Sequence, residues 1–104
     1  METLITGGTG LVGRQLVMAL QQRGDTVRAL VLPTEDARWL EERGVAIYRG
    51  DIRDPDTLTV PMRSVDTVFH LAAVTGGKVM PIEVYYKVNV TGTENVCRAA
   101  MAEC

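Results

Sequence analysis

Three evenly spaced glycines near the amino terminus are the residues of this sequence with the clearest chemical use. Gly7, Gly10 and Gly13 form the pattern G-x-x-G-x-x-G. Gly7 would allow a tight turn, Gly10 a close approach of the backbone to a pyrophosphate, and Gly13 the packing of a helix against a strand. The free N–H groups and positive dipole end of a helix starting near Leu11 would attract the phosphate charge. The pattern indicates a dinucleotide-binding loop, and no Gly-Lys-Ser/Thr follows that would make it a P-loop.

The elements that must position this loop are a strand before it and a helix after it, and the sequence predicts both. Thr3–Thr6 is a short apolar run with β-branched residues, so we expect a strand that ends at the glycines. Leu11–Arg23 is predicted to be a helix, and Gly24 follows where a left-handed residue commonly ends one. The apolar residues at helical spacing in this segment are Val12, Leu16, Ala19 and Leu20.

The rest of the chain alternates between short apolar runs and helical segments. The predicted strands are Thr26–Leu32, Val45–Arg49 and Thr67–Leu71, and the predicted helices are Glu35–Arg43, a short helix capped by Asp54 with Pro55 at its first position, and Ile82–Glu103. Such alternation indicates a parallel sheet with helices on both faces, and right-handed crossovers favour the strand order 3-2-1-4. We therefore expect an α/β, Rossmann-like three-layer αβα fold, formed by residues 1–104 as a single domain.

Composition limits the function classes. The chain has 104 residues, 46% of them hydrophobic, and a formal net charge of −2, which is typical of one globular domain and not of a nucleic-acid-binding protein. No apolar run is long enough to span a membrane, and no secretory signal begins the sequence. Cys97 and Cys104 lie far from any Cys/His cluster, so we expect neither a disulfide nor a metal site, and a cytoplasmic protein.

Four motifs, in order, give the sequence a family resemblance. TGGTGLVG at 6–13, GDIRD at 50–54, HLAA at 70–73 and NVTGTENV at 89–96 extend over most of the chain. Together they resemble the amino-terminal part of the extended and atypical short-chain dehydrogenase/reductases, the group that contains NAD-dependent epimerases and dehydratases. The resemblance implies a dinucleotide cofactor, NAD or NADP.

The resemblance also implies a set of cofactor-binding residues. Asp51 would accept a hydrogen bond from the adenine amino group, with the Ile52 backbone beside it, and Asn89 would brace the fourth strand and an active-site water network. The remaining implied positions lie in the glycine loop and at the end of the fourth strand: Gly7, Thr9, Gly10, Leu11, Val12, Gly13, Leu71, Ala72 and Ala73.

Each of these assignments has a structural alternative. Asp51 could be a turn residue after Gly50, Ala72 and Ala73 could only pack, and Asn89 could be a structural hydrogen-bonding residue. His70 has no carboxylate or cysteine near it in sequence, so we expect a structural residue at a strand end.

The choice between NAD and NADP stays open from sequence. A Rossmann site that prefers NAD has an acidic residue at the end of its second strand, whereas an arginine there favours the 2′-phosphate of NADP. The segment Val31–Pro33 contains neither. Glu35 and Asp36 follow slightly late, while Arg14 and Arg38 could assist a phosphate.

The resemblance further implies catalysis by a Tyr-x-x-x-Lys pair, which this sequence lacks. Tyr85, Tyr86 and Lys87 are adjacent and precede the NVTGT motif, so no catalytic residue is assigned. We expect the first part of an oxidoreductase or epimerase, with cofactor-binding residues but no substrate domain. In that enzyme the loop Thr75–Pro81 would contribute to the substrate pocket. The alternative is a small natural module that senses a nucleotide or acts in protein assembly.

The fourth strand also suggests an oligomeric state. If no fifth strand covers it, its apolar edge is a template for another chain. We therefore expect a homodimer, formed by pairing of that edge or by exchange of the fourth helix. Cys97 and Cys104 would lie on roughly one face of that helix, and we expect them to be buried small apolar residues and not a redox pair.

Overall fold

The computed structural model describes residues 1–74 and 80–103. Its centre is a four-stranded sheet in which every pair of neighbouring strands is parallel, in the order β3-β2-β1-β4. The strands are β1 (Glu2–Thr6), β2 (Thr26–Val31), β3 (Ala46–Arg49) and β4 (Thr67–His70). In the central pairs Ile5 lies opposite Ala29 on one side and Phe69 on the other. The predicted topology is confirmed, and every strand bound lies within one residue of its prediction.

Helix α1 (Leu11–Arg23) has the predicted bounds, and Gly24 ends it with a left-handed φ of 97°. The face that α1 buries differs from the predicted one, because the buried residues are Gly13, Val17 and Leu20. Val12, which was grouped with the core by its spacing, is 68% exposed. The apolar side chains at the start of α1 therefore lie toward the open end of the sheet and not beneath it.

The second helix, α2, is shorter than predicted and spans Arg38–Glu42 instead of Glu35–Arg43. The side chains that precede it bind backbone amides and compete with helix formation. A Glu35 oxygen accepts the N–H of Leu32 at 3.0 Å, and an Asp36 oxygen accepts the N–H of Arg38 at 3.0 Å. These two bonds form a turn where the sequence pattern predicted a first helical turn.

The other side of the sheet is covered by shorter elements. Asp54 caps a 3-10 turn at Pro55–Thr57 as predicted, because its side chain accepts the N–H of Asp56. Helix α3 (Thr59–Met62) follows. The long helix predicted at Ile82–Glu103 is interrupted: α4 (Ile82–Tyr86) and α5 (Gly92–Glu103) are joined by a π-helical segment, Lys87–Thr91.

Two apolar cores, one on each face of the sheet, confirm the three-layer arrangement. Adjacent residues of β1 supply one side chain to each core: Ile5 packs with α1 and α2, and Leu4 with α3 and α5. Both side chains are fully buried. None of the described helices is long and apolar enough to cross a membrane.

Candidate dinucleotide-binding site

A cleft of about 740 Å³ opens at the carboxyl ends of the four strands, which is where ligands bind in open α/β sheets. Its size is that of a small-molecule site. Asn89 does not line this cleft and lies behind its wall. All the other predicted cofactor-binding residues do line it: Gly7, Thr9, Gly10, Leu11, Val12, Gly13, Asp51, Ile52, Leu71, Ala72 and Ala73.

Two of the loop glycines are required by the chain itself. Gly7 has a left-handed φ of 76°, and a Cβ on it would lie 2.8 Å from the backbone nitrogen of Ala72. A Cβ on Gly13 would lie 2.1 Å from the carbonyl oxygen of Gly7, so only glycine allows α1 to pack against the loop. These two residues shape the loop whether or not a ligand is bound.

Gly10 is different, because nothing in the chain requires glycine there. Its φ of −79° suits any residue, and the nearest atom to a built Cβ is the Gly7 oxygen at an ordinary 3.5 Å. Gly10 is exposed and precedes α1, whose amino end receives no side-chain cap from the described residues. Uncapped N–H groups at a helix start attract anions, so the residues present fit a pyrophosphate lying against Gly10.

A carboxylate also lies at the rim of the cleft, where β2 ends. One oxygen of Glu35 accepts the hydroxyl proton of Thr9 at 2.7 Å, and the other accepts the N–H of Leu32 at 3.0 Å. Arg49 fixes this turn by donating to the carbonyl oxygens of Leu32 and Glu35 at 2.8 and 2.6 Å. Glu35 follows slightly late in the sequence, but the turn returns its side chain to the glycine loop, where it bonds to Thr9.

Asp51 is a turn residue that also lines the cleft. Its oxygens accept two hydrogen bonds from the Arg53 guanidinium, at 3.1 and 2.7 Å, and one from the Arg53 N–H at 2.9 Å. The side-chain hydrogen bond from Arg53 is the main reason why the pKa of Asp51 lies below its usual value. Asp51 therefore forms a turn and lines the cleft, and it brings Arg53, which the sequence analysis did not select, to the same wall.

The wall beyond β4 has no regular secondary structure and is held by side chains. Asn89 accepts the N–H of Val74 at 2.8 Å and donates to its carbonyl oxygen at 2.9 Å. Asn89 therefore braces the end of the fourth strand from within the π-helical segment. Ala72 packs against the core on one side and lines the cleft on the other, whereas Ala73 is exposed.

His70 bonds to both neighbouring elements. Its Nδ1 lies 2.6 Å from the Thr6 hydroxyl, and its Nε2 lies 2.9 Å from the Thr93 hydroxyl. Burial lowers the pKa of His70 below its usual value, which favours a neutral ring. This connection between a strand and a helix agrees with the structural role predicted for His70.

The comparisons with known proteins agree with this geometry. The profile of the NAD dependent epimerase/dehydratase family matches residues 3–103. The chain belongs to the NAD-dependent epimerase/dehydratase family. It forms an NAD(P)-binding Rossmann module of that family, as the resemblance implied.

Several members of the family resemble the chain over nearly its whole length. It is 40% identical over 96% of its length to a 4-hydroxy-2-methyl-3-oxo-4-farnesyl-3,4-dihydroquinoline-1-oxide ketoreductase of Stigmatella aurantiaca, of which it covers 30%. It is 30% identical to a Thermus thermophilus UDP-glucose 4-epimerase in complex with NAD, with a TM-score of 0.82, covering 98% of this chain and 34% of that one. It is 31% identical to a short-chain dehydrogenase/reductase superfamily protein of Agrobacterium tumefaciens with bound NAD, with a TM-score of 0.80. That match covers 98% of this chain and 29% of the other.

The chain therefore spans about 30% of the length of the curated relatives it matches. These family members support the prediction of a cofactor-binding part of an oxidoreductase or epimerase, and they do not favour the alternative of a small sensing or assembly module. The described residues that line the cleft include Val84 of α4 and Val88 of the π-helical segment, and they do not include Tyr85, Tyr86 or Lys87. Cys97 is exposed and not buried as expected. Cys104 and most of the predicted loop Thr75–Pro81, namely residues 75–79, lie outside the described residues.

Proposed function

We propose that the chain binds NAD in this cleft and that, without a Tyr-x-x-x-Lys pair, it holds the cofactor but does not turn it over alone. The observation that carries this proposal is Gly10, a glycine that the fold does not need, beside an uncapped helix amino end. A ligand that must approach the backbone closely explains both features. The named relatives, a ketoreductase and an epimerase, support an NAD(P)-dependent oxidoreductase or epimerase as the activity of the whole protein.

The lining of the cleft supports a position for each remaining group of the cofactor. With the pyrophosphate at Gly10 and the start of α1, the adenine would lie beside Asp51 and Ile52. The planar guanidinium of Arg53, held by Asp51, would stack on that ring. The nicotinamide end would extend along Leu71–Ala73, the opposite wall of the cleft.

We further propose that NAD is preferred to NADP, and that Glu35 sets the preference. A ribose 2′-hydroxyl can donate to a carboxylate at the end of β2, whereas a 2′-phosphate is repelled by it. Each Glu35 oxygen accepts one hydrogen bond, from Thr9 or from Leu32. A carboxylate has about four acceptor sites, so Glu35 retains capacity for the ribose hydroxyl.

The test of this preference is a Glu35→Gln variant titrated with NAD and with NADP. Repulsion between close like charges near a surface is worth about 1–4 kcal/mol. The ratio of NADP to NAD dissociation constants should therefore fall by roughly tenfold or more. Glu42→Gln, on the exposed end of α2, removes the same charge away from the cleft and should leave the ratio unchanged. An unchanged ratio in Glu35→Gln would show that Glu35 does not set the preference, and it would not contradict NAD binding in the cleft.

The homodimer and the cytoplasmic location stay predictions from the sequence. Within the described residues, β4 pairs with β1 on one side only, so its outer edge is open to a further strand or to a second copy of the chain. An open edge of this kind supports self-association of the chain as a dimer.

A further inference from the structure

One hydrogen-bond circuit encloses the backbone segment that forms the far wall of the cleft. The segment Leu71–Val74 leaves β4 without regular secondary structure. At its start, the N–H groups of Leu71 and Ala72 each donate to the Thr6 hydroxyl oxygen at 3.1 Å. At its end, Val74 is held on both backbone groups by the side chain of Asn89. The side chain of His70 connects the contacts at the two ends of the segment, because it bonds to Thr6 and, through Thr93, to Asn89.

The direction of each bond in the circuit follows from counting protons. The Thr6 hydroxyl oxygen accepts the N–H of Ala72 and shares the N–H of Leu71 with the Thr6 carbonyl oxygen, so the acceptor left for its own proton is Nδ1 of His70, 2.6 Å away. Nδ1 is then an acceptor, and the neutral ring carries its proton on Nε2. That proton is donated to the Thr93 hydroxyl at 2.9 Å, whose own proton goes to the Asn89 carbonyl oxygen at 2.8 Å. Each hydroxyl proton has one acceptor, and no other assignment satisfies all of these contacts.

We propose that His70, as the Nε2–H tautomer, is a positioning residue that holds Leu71–Val74 in the shape the dinucleotide requires. The proposal rests on the proposed binding of NAD in this cleft. The segment is in close contact with the glycine loop, because a Cβ on Gly7 would lie only 2.8 Å from the Ala72 nitrogen. A shift of the segment would therefore change both walls of the cleft together.

The variants that test the proposal share the loss of one bond of the circuit, the bond between His70 and Thr93. In His70→Asn, the shorter amide can still accept the Thr6 proton but cannot reach Thr93. Thr93→Val removes the other partner of the same bond and also the bond to the Asn89 carbonyl oxygen, whereas Thr93→Ser keeps the hydroxyl and both bonds. Loss of one such bond corresponds to about a fivefold weaker NAD affinity. Because the bond between His70 and Thr93 is already lost in Thr93→Val, the double variant should bind NAD no more weakly than Thr93→Val alone, and not by the product of the two single effects.

Thr67→Val is the matched control, since this threonine lies on the same strand at the end away from the cleft. It should bind NAD as the wild-type protein does, and so should Thr93→Ser. Circular dichroism establishes that each variant is folded before titration. A role in stability alone would lower the unfolding temperature of His70→Asn and Thr93→Val while leaving the NAD affinity unchanged.

The tautomer supplies a second readout that needs no variant. The chain has a single histidine, so the ¹⁵N signals of its imidazole need no further assignment. At neutral pH we expect an unprotonated Nδ1 and a protonated Nε2. The opposite tautomer, a charged ring, or unchanged NAD affinity in the folded variants would overturn the positioning role alone. Failure of the wild-type protein to bind NAD would instead refute the proposed function, and the positioning role with it.

Discussion

Replacing Gly13 by alanine should destabilise the fold, whereas replacing Gly10 by alanine should weaken NAD binding without loss of stability. Less than one helical turn separates the two residues. At Gly13 the new Cβ would lie 2.1 Å from the Gly7 oxygen and 2.8 Å from the Gly8 Cα. Both contacts are with backbone, which cannot rotate away as a side chain can. The cost of such overpacking is about 1–3 kcal/mol or more, against a gain of about 1 kcal/mol from replacing a helical glycine by alanine.

At Gly10 the new Cβ would meet only the Gly7 oxygen, at 3.5 Å, and the φ of −79° suits alanine. The free energy of unfolding should therefore stay within about 0.5 kcal/mol of the wild-type value. The methyl group would, however, occupy the space into which the pyrophosphate must come. Loss of one charge-assisted hydrogen bond, worth about 1.5–3 kcal/mol, weakens NAD binding by roughly 10- to 100-fold.

The assay is thermal unfolding without ligand, followed by calorimetric titration with NAD. A domain of this size loses about 4–8 °C per kcal/mol, so Gly13→Ala should unfold several degrees below the wild type and Gly10→Ala at the same temperature. The expected result for Gly10→Ala is a wild-type unfolding temperature together with a weakened affinity for NAD. Wild-type NAD affinity in Gly10→Ala would refute the placement of the pyrophosphate, and an unchanged unfolding temperature in Gly13→Ala would refute the packing of α1 on the loop.

Two further predictions concern stability and assembly. The pKa of Asp25 is lowered to about 2, mainly by the hydrogen bond from Arg23 and then by that from Thr3. Because the pKa is lower in the folded state than in the unfolded state, the ionised carboxylate stabilises the fold above about pH 4. This stabilisation is lost as the pH falls toward about 2. When acid unfolding is followed by circular dichroism, the stability of Asp25→Asn should fall less steeply between about pH 4 and pH 2 than that of Asp56→Asn. Equal pH profiles of the two variants would contradict the role of Asp25. Sedimentation of the 104-residue chain at tens of micromolar should show a dimer formed through the open edge of β4; a single monomeric species would contradict it.

The strand order and the glycine loop were predictable because their signals are local. The apolar run at Thr3–Thr6, the glycine spacing and Gly24 each constrain a few neighbouring residues, and parallel connections then leave few arrangements. The buried face of α1 was not predictable in this way. Periodicity grouped Val12 with the core, but the close packing of Gly13 on the loop turns Val12 toward the cleft side, where it is 68% exposed.

The parts that sequence analysis missed depend on contacts between distant residues. Glu35 reaches the cleft through a turn that its own bond to Leu32 helps to form. The usual rule for cofactor preference considers only the residue at the end of β2, so it does not identify Glu35. The break between α4 and α5 coincides with Asn89, whose side chain binds Val74. A period of 3.6 residues continues through such a segment unchanged, so apolar spacing alone predicts one helix.

The most direct measurement of the central claim is a ¹H–¹⁵N correlation spectrum recorded during titration with NAD. If NAD binds in the cleft, the amide signals of Gly10, Leu11 and Val12 should shift saturably, together with those of Ala72 and Ala73 on the opposite wall. Unchanged glycine-loop amides at millimolar NAD, or shifts confined to residues outside the cleft, would contradict it.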